Sequence, residues 1–233
     1  MRQILDLGRR AAISCCTMKN LKIGILGTGD VGRALGNGFV SLGCQVMMGS
    51  REAGNEKAAA WAGGAGELAS SGTFAEAAAF ADIVVLATLW SGTENALRLA
   101  GAENLAGKIL IDTTNPLSFG PQGPSLAIGH TDSGGESVQR WAAQAKVVKA
   151  WNIVGNPHMF QPSFPGGPPD MFIAGNDADA KVKVSEILAA FGWQVVDLGS
   201  IEMSRYLEPL AMVWIMTYFR TKSGNHAIKL LRK

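Results

Sequence analysis

The chain has 233 residues, 47% of them hydrophobic, and a formal net charge of +2. That length suits one domain with a substantial core, and the near-neutral balance argues against nucleic acid or an anionic membrane as partner. The three cysteines, Cys15, Cys16 and Cys44, show neither metal-ligand spacing nor a disulfide framework, which fits a reducing, cytoplasmic setting with no metal site.

Residues 1–18 read as an N-terminal extension without fixed structure: MRQILDLGRRAAISCCT is basic and runs into Met18-Lys19-Asn20, itself start-like. Strand patterns follow at Leu21–Leu26, Gln45–Met48, Asp82–Leu89, Lys108–Thr113, Lys146–Ala150, Met171–Ala174 and Gln194–Leu198. Helical spacing fills Val31–Leu42, Phe74–Phe80, Thr93–Ala100, Glu136–Ala145 and Ala178–Phe191. The strands are near-continuous apolar runs, as strands buried on both faces are, so the sheet is expected to be mostly parallel with helices on either side. Alternating β and α elements define a doubly wound, Rossmann-type α/β domain over residues 19–200. Residues 201–233 form a small C-terminal helical portion. Its helix, Glu202–Phe219, has apolar spacing at Tyr206, Leu210, Val213 and Met216 for packing on the domain or on a second subunit in a homodimer, and Arg205 and Glu208 are placed to pair locally. Its most apolar run, Leu210–Phe219, is about half a membrane span.

Two Gly- and Pro-rich stretches, 117–135 and 156–170, exceed the usual connection of about four to six residues. Each leaves the carboxyl end of a strand, where open α/β sheets bind ligands, so both are candidate substrate walls. Neither contains a Lys or Arg.

Gly27-Thr28-Gly29-Asp30-Val31-Gly32 satisfies G-x-G-x-x-G between an apolar strand and a helical pattern, the context that makes the motif a dinucleotide fingerprint. Gly27 permits the turn, Gly29 lets a pyrophosphate approach, and Gly32 lets helix and strand pack closely. The amides at the helix start then face the phosphates. An NAD site usually places an acid about twenty residues on, to hold the ribose. Ser50 and Arg51 stand there instead, and a hydroxyl beside a guanidinium suits a 2′-phosphate. The cofactor expected is NADP(H).

The nicotinamide end falls on Thr88-Leu89-Trp90-Ser91-Gly92, Asn115-Pro116 and Trp151 to Asn156. Trp90 and Trp151 are either flat walls for a ring or core tryptophans. Asn115 and Asn152 either bond the carboxamide or tie their own loops. No Ser-Tyr-x-x-x-Lys set and no His–acid pair appears, so the catalytic residues are unassigned, with His130 and His158 as the available proton donors. Hydride exchange between two ring cofactors needs acid–base help less than alcohol chemistry does, and depends mainly on holding the rings together.

The stretches GILGTGDVG, GSR, VVLATLW, KILIDTTNP, VVKAWN and the closing SRYLEPLAMVWIMTYF with GNHAIKLL resemble the NADPH-dependent F420 oxidoreductase family from about Lys19 onward. The resemblance implies a Rossmann domain with a small helical C-terminal portion that moves hydride between NADP(H) and the deazaflavin F420. It implies phosphate contacts at Thr28, Gly29, Asp30 and Val31, a 2′-phosphate site at Ser50 and Arg51, and ribose and nicotinamide neighbours at Thr88, Gly92, Asn115 and Asn156. The chain departs from the archaeal pattern at Leu89, where the family has Pro, and at Asn152, where it has His. The domain also resembles the ferric-reductase domain of STEAP proteins, in which NADPH reduces a flavin. The expected partner is thus a small-molecule redox co-substrate. A non-catalytic NADP(H)-binding sensor or partner-binding module, or a reductase of another small substrate, is the alternative.

Overall fold

A computed structural model describes residues 18–233; residues 1–17, most of the expected extension, lie outside the described residues. In chain order the elements are β1 (Lys22–Leu26), α1 (Asp30–Ser41), β2 (Gln45–Ser50), α2 (Glu56–Ala65), β3 (Ala69–Thr73), α3 (Phe74–Phe80), β4 (Ile83–Leu86), α4 (Trp90–Ala100), α5 (Ala102–Leu105) and β5 (Ile109–Asp112). There follow β6 (Leu117–Gly120), β7 (Gly123–Leu126), α6 (Gly134–Trp141), β8 (Lys146–Lys149), β9 (Asp170–Gly175), α7 (Ala178–Ala190), β10 (Gln194–Asp197) and α8 (Ser204–Thr221). Met18, which the sequence reading assigned to the extension, is buried and packs in the core.

Eight strands form one sheet in the order β10-β9-β8-β5-β4-β1-β2-β3. The six from β3 to β8 are parallel, and β9 turns antiparallel to β8 and carries β10 with it. The sheet is therefore doubly wound and mostly parallel. The chain runs outward from β1 through β2 to β3, then returns to start again at β4, which makes the β1/β4 boundary the topological switch point.

Local chemistry sets the boundaries. Helix α3 begins in a capping box, with Thr73 Oγ1 accepting from the Glu76 amide and Glu76 reaching back to the Thr73 amide, which satisfies two otherwise orphaned donors. Asn55 and Asp177 cap α2 and α7 in the same sense. The sequence pattern misses β3, whose residues ASSGT lack an apolar run: this is a half-exposed edge strand. It also misses the β6–β7 hairpin inside the 117–135 loop, which pairs outside the main sheet.

The larger core gathers Phe39, Trp61, Trp151, Phe191 and the inner faces of α1 and α7 on one side of the sheet; a second, under α3, α4 and α6, gathers Phe74, Leu97, Leu105 and Val138. Trp151 packs edge-on against Phe39 and Phe191 and is 1% exposed. The chain after α8 folds back over the 156–170 loop. There Ile228 O accepts from the Asp170 amide, the Leu230 amide donates to Asp170, and Lys229 donates to the carbonyls of Gly166 and Pro168. No helix among the described residues is long and apolar enough to cross a membrane.

Candidate active site

The register across the six parallel strands is level at one row. Gly72, Gly49, Leu26, Leu86, Asp112 and Lys149 pair in sequence from β3 to β8. Strands that end together deliver their following residues to one edge, so the Gly27–Gly32 turn, Ser50-Arg51, Thr88–Gly92, Asn115 and the segment to Asn156 all leave from the same carboxyl edge. Relative to β1, Ser50 lies one strand spacing to one side and Asn115 two to the other, at about 4.8 Å per spacing.

In the glycine turn the three glycines have three separate causes. Gly27 has φ +132, and a Cβ there would lie 2.3 Å from the Ala87 carbonyl oxygen. At Gly32 a Cβ would lie 2.4 Å from the carbonyl oxygen of Gly27. Gly29 is different: a Cβ would meet no protein atom within 4 Å, and its φ is an ordinary −77. The protein itself does not demand glycine at position 29, whereas a phosphate lying against the backbone would. Gly29 is also the N-cap of α1 and offers no side-chain cap, leaving the first-turn amides open for an anion. Asp30 pairs with Arg33 one turn on, and Thr28 and Val31 are half-buried beside the turn.

The Gly27 amide donates to the Gly49 carbonyl, tying this turn to the end of β2. Next along β2, Ser50 is buried and donates its hydroxyl to the Glu52 carbonyl at 2.5 Å. A phosphate there would compete with that carbonyl for the proton. Arg51 is exposed and has no ion-pair partner among the described residues.

At the other end, Thr88 Oγ1 lies 3.0 Å from Thr93 Oγ1, and the Gly92 amide donates to the Leu89 carbonyl. Leu89 is 81% exposed, an apolar surface at the edge where the nicotinamide is expected. Asn115 donates to the Asn152 carbonyl at 2.8 Å, and Asn152 returns a bond to Asn115 Oδ1 and a second to the Leu207 carbonyl. This pair ties the ends of β5 and β8 to α8. The Asn156 carbonyl accepts from the Met159 amide, opening a 3-10 turn. Trp151 is a core residue, not a wall, and Trp90 packs on Trp141 with ring centres 5.4 Å apart. His158 bonds Asn225 and lies against Phe164, holding the C-terminal tail on the loop.

Below this edge sits an ion cluster that the sequence reading missed. Lys149 reaches Asp112 and Glu208 at 2.8 Å each, with all three side chains inaccessible to solvent. Asp112 also accepts from the amide and hydroxyl of Thr114, and Glu208 from the amides of Gly134 and Gly135 at the start of α6. Burial works against the Lys149 charge, but the two carboxylates outweigh it and hold its pKa above the usual lysine value. The expected local Arg205–Glu208 pair does not form. Arg205 instead makes a bidentate pair with Glu136 on α6, and that contact holds the Glu136 carboxyl below its usual range. The face of α8 is corrected too: Ser204, Leu207, Glu208 and Ala211 are buried, while Tyr206, Val213 and Met216 are exposed. Glu208 decides this, because its charge must face Lys149.

One cleft of about 600 Å³ lies between residues 126–131 and the first turns of α8, lined by Ile128, His130, Arg205, Tyr206 and Pro209 among others. Another, of about 430 Å³, lies among Asp82, Lys108, Lys146 and Asp179 at the opposite, amino-terminal edge of the sheet, away from the glycine turn.

A doubly wound sheet with a glycine turn at its switch point and an open helix N-terminus defines a Rossmann-type dinucleotide fold. Comparison with known proteins narrows the class. Residues 22–116 match the family model for coenzyme F420-dependent NADP oxidoreductases. A solved structure from Arthrobacter sp. FB24, provisionally assigned as an F420-dependent NADP reductase, is 38% identical with a TM-score of 0.85, covering 91% of this chain and 100% of that one. The F420-dependent NADP reductase of Methanothermobacter thermautotrophicus is 28% identical over 90% of this chain and 94% of its own length. The metalloreductase STEAP3 of Rattus norvegicus is 31% identical over 82% of this chain, which spans only 36% of that protein. The chain belongs to the F420-dependent NADP oxidoreductase family, a family of NADP-dependent oxidoreductases.

Proposed function

We propose that this chain moves hydride between NADP(H) and a ring coenzyme such as F420 or a flavin. The level carboxyl edge carries the reading. It sets the open turn at Gly29, with no steric cause of its own for the glycine, one strand from Arg51, which has no ion-pair partner among the described residues, and two strands from Asn115. In this reading the amides of Thr28, Gly29, Asp30 and Val31 hold the pyrophosphate, with Gly27 making the turn and Gly32 the close helix–strand packing that present them. Ser50 and Arg51 hold the 2′-phosphate, and Thr88, Gly92, Asn115 and Asn156 neighbour the ribose and nicotinamide. NADPH supplies the hydride when bound. The chain's own part is to orient the rings at reacting distance and keep water out. Residues 19–200 carry the nucleotide, and 201–233 add the helix that closes the far side. The exposed face at Val213 and Met216 supports a homodimer, and a cytoplasmic setting fits the reduced state expected of the thiols.

The test is anaerobic stopped-flow mixing of NADPH-loaded protein with F420 and, separately, with FMN, following nicotinamide absorbance. Rapid loss of that absorbance with either ring supports the reading; NADPH binding without oxidation by either would sink it and favour the nucleotide-binding sensor.

The position of His130 in the 600 Å³ cleft favours one second reading: reduction of another small substrate, with His130 donating the proton. Abolished turnover in His130→Ala, with NADPH affinity intact, would select it.

A further inference from the structure

The tail that follows α8 grips one side chain of that helix. The Trp214 indole N–H donates to the His226 carbonyl at 2.9 Å, and His226 Nε2 lies 3.1 Å from the Trp214 carbonyl. A carbonyl only accepts, so Nε2 carries the proton and the two residues exchange one bond each way. Their rings stack with centres 4.7 Å apart, and the Tyr218 ring lies 5° from the indole plane with centres 6.0 Å apart. An indole bonded at its nitrogen and stacked on two rings has little freedom to move.

That indole sets the path of a second segment. A Cβ at Gly155 would lie 2.8 Å from Trp214 Cη2 and 2.9 Å from Trp214 Cζ2, whereas the φ of Gly155 is an ordinary −76. The close approach of the ring, not the backbone angle, calls for glycine here. Gly155 caps the 3-10 turn Asn156–His158, and its carbonyl accepts from the His158 amide at 3.0 Å. The same segment meets α8 one further time, where Asn152 donates to the Leu207 carbonyl. Leu207 and Trp214 stand at i and i+7 on one helix face, about 10 Å apart along the axis, with buried Ala211 between them. Residues 152–155 are therefore laid along that face between two held points. The tail adds a third, since Asn225 Oδ1 lies 3.2 Å from His158 Nε2.

We propose that Trp214, clasped by His226, is a positioning residue for the nicotinamide: through Gly155 it sets where the backbone delivers Asn156. The inference rests on the placement of the nicotinamide beside Asn156 in the reading above, and adds to it the part of the chain that holds that end of the site. The phosphates, in the same reading, fall to the amides after β1 and to Ser50 and Arg51 after β2. The two halves of the dinucleotide are thus governed by separate parts of the chain, and the C-terminal tail acts on one of them only.

The experiment compares two ligands by calorimetric titration: NADPH, and 2′-phospho-ADP-ribose, which carries every phosphate of NADPH but no nicotinamide. Trp214→Ala should weaken NADPH about tenfold and leave the fragment within about twofold of wild type. Trp214→Phe keeps a ring without the indole N–H, and His226→Ala keeps the accepting carbonyl without the ring; each should give a smaller loss, again confined to NADPH. A Cβ at position 155 has room only once the indole is gone, so Gly155→Ala should weaken NADPH in wild type and add nothing to Trp214→Ala. A residue that merely supports the fold would move both ligands together. The proposal is overturned if Trp214→Ala, or His226→Ala should the first variant not fold, weakens the fragment as much as NADPH or leaves both unchanged. It is also overturned if the Gly155→Ala and Trp214→Ala losses simply add. A wild-type protein that binds neither ligand would overturn the nucleotide reading and the proposal with it. The split between NADPH and the fragment, found in a protein that transfers no hydride in the stopped-flow assay, would support the proposal and overturn only the reaction.

Discussion

Lys149 on β8 and Glu208 on α8 meet at 2.8 Å, and neither side chain reaches solvent. With Asp112 as the third member, this contact joins the carboxyl ends of two central strands to the C-terminal helix and, through Gly134 and Gly135, to the start of α6. Removing one partner of such a cluster leaves buried charge unpaired. Lys149→Met should cost about 3–5 kcal/mol of folding stability, whereas the uncharged combination Asp112→Asn, Lys149→Met, Glu208→Gln should recover most of that loss. Urea unfolding of the three proteins checks it; equal stability of Lys149→Met and wild type would mean the cluster does not hold the fold.

The glycine turn separates packing from ligand binding. Gly32→Ala drives a Cβ into the Gly27 carbonyl and should destabilise by about 1–3 kcal/mol. Gly29→Ala has open space and an ordinary φ, so stability should stay within about 0.5 kcal/mol while NADPH affinity falls about tenfold. Thermal unfolding with and without NADPH distinguishes the two, and a Gly29→Ala protein that binds NADPH normally would remove the phosphate from this turn.

Arg51 is the expected discriminator between the two nicotinamide dinucleotides. Arg51→Ala should weaken NADPH about 10- to 100-fold, the worth of a charged hydrogen-bonding partner, and leave NADH nearly unchanged. Calorimetric titration with each nucleotide reads this directly. A parallel loss for both would assign Arg51 to structure, not to the 2′-phosphate.

The pairs on α6 predict acid sensitivity. The Arg205 guanidinium holds the Glu136 carboxyl below its usual range, and the Arg140 guanidinium does the same for Asp132. A carboxyl with a lowered folded pKa contributes stability above its unfolded value, about 4, and loses that contribution as pH falls through the lower folded value. Melting temperature should therefore drop below about pH 4, and Glu136→Gln should start lower at neutral pH but fall less steeply. Identical slopes in the two proteins would show that the pair contributes nothing measurable.

The glycine turn and most of the sheet were legible because their signals are local: an apolar run, three glycines at fixed spacing, and a helical pattern immediately after. Strand β3 was hidden because an edge strand reading ASSGT buries too little to need apolar residues. The cluster at Lys149 was hidden for another reason. Its partners lie 37 and 59 residues away, and only the fold brings them together. One signal was available: a lysine inside the apolar run VVKA must find a counter-charge if that strand is buried on both faces. The orientation of α8 follows from the same omission. Two apolar stripes compete on that helix, and the one carrying Leu207 and Ala211 is buried because Glu208 lies between them. Trp151 reads from sequence as either wall or core, and its contacts with Phe39 and Phe191 make it core.

If hydride passes from NADPH to a ring held against this edge, isotope tracing follows it from carbon to carbon. NADPH deuterated at the transferring face of its nicotinamide C4 is incubated with the protein and F420 in ordinary water, and the reduced deazaflavin is analysed by mass spectrometry. A deuterium should be retained on the deazaflavin's reacting carbon, since carbon-bound label does not exchange with solvent. Reduced deazaflavin without the label, or no reduction by a protein saturated with NADPH, would contradict it.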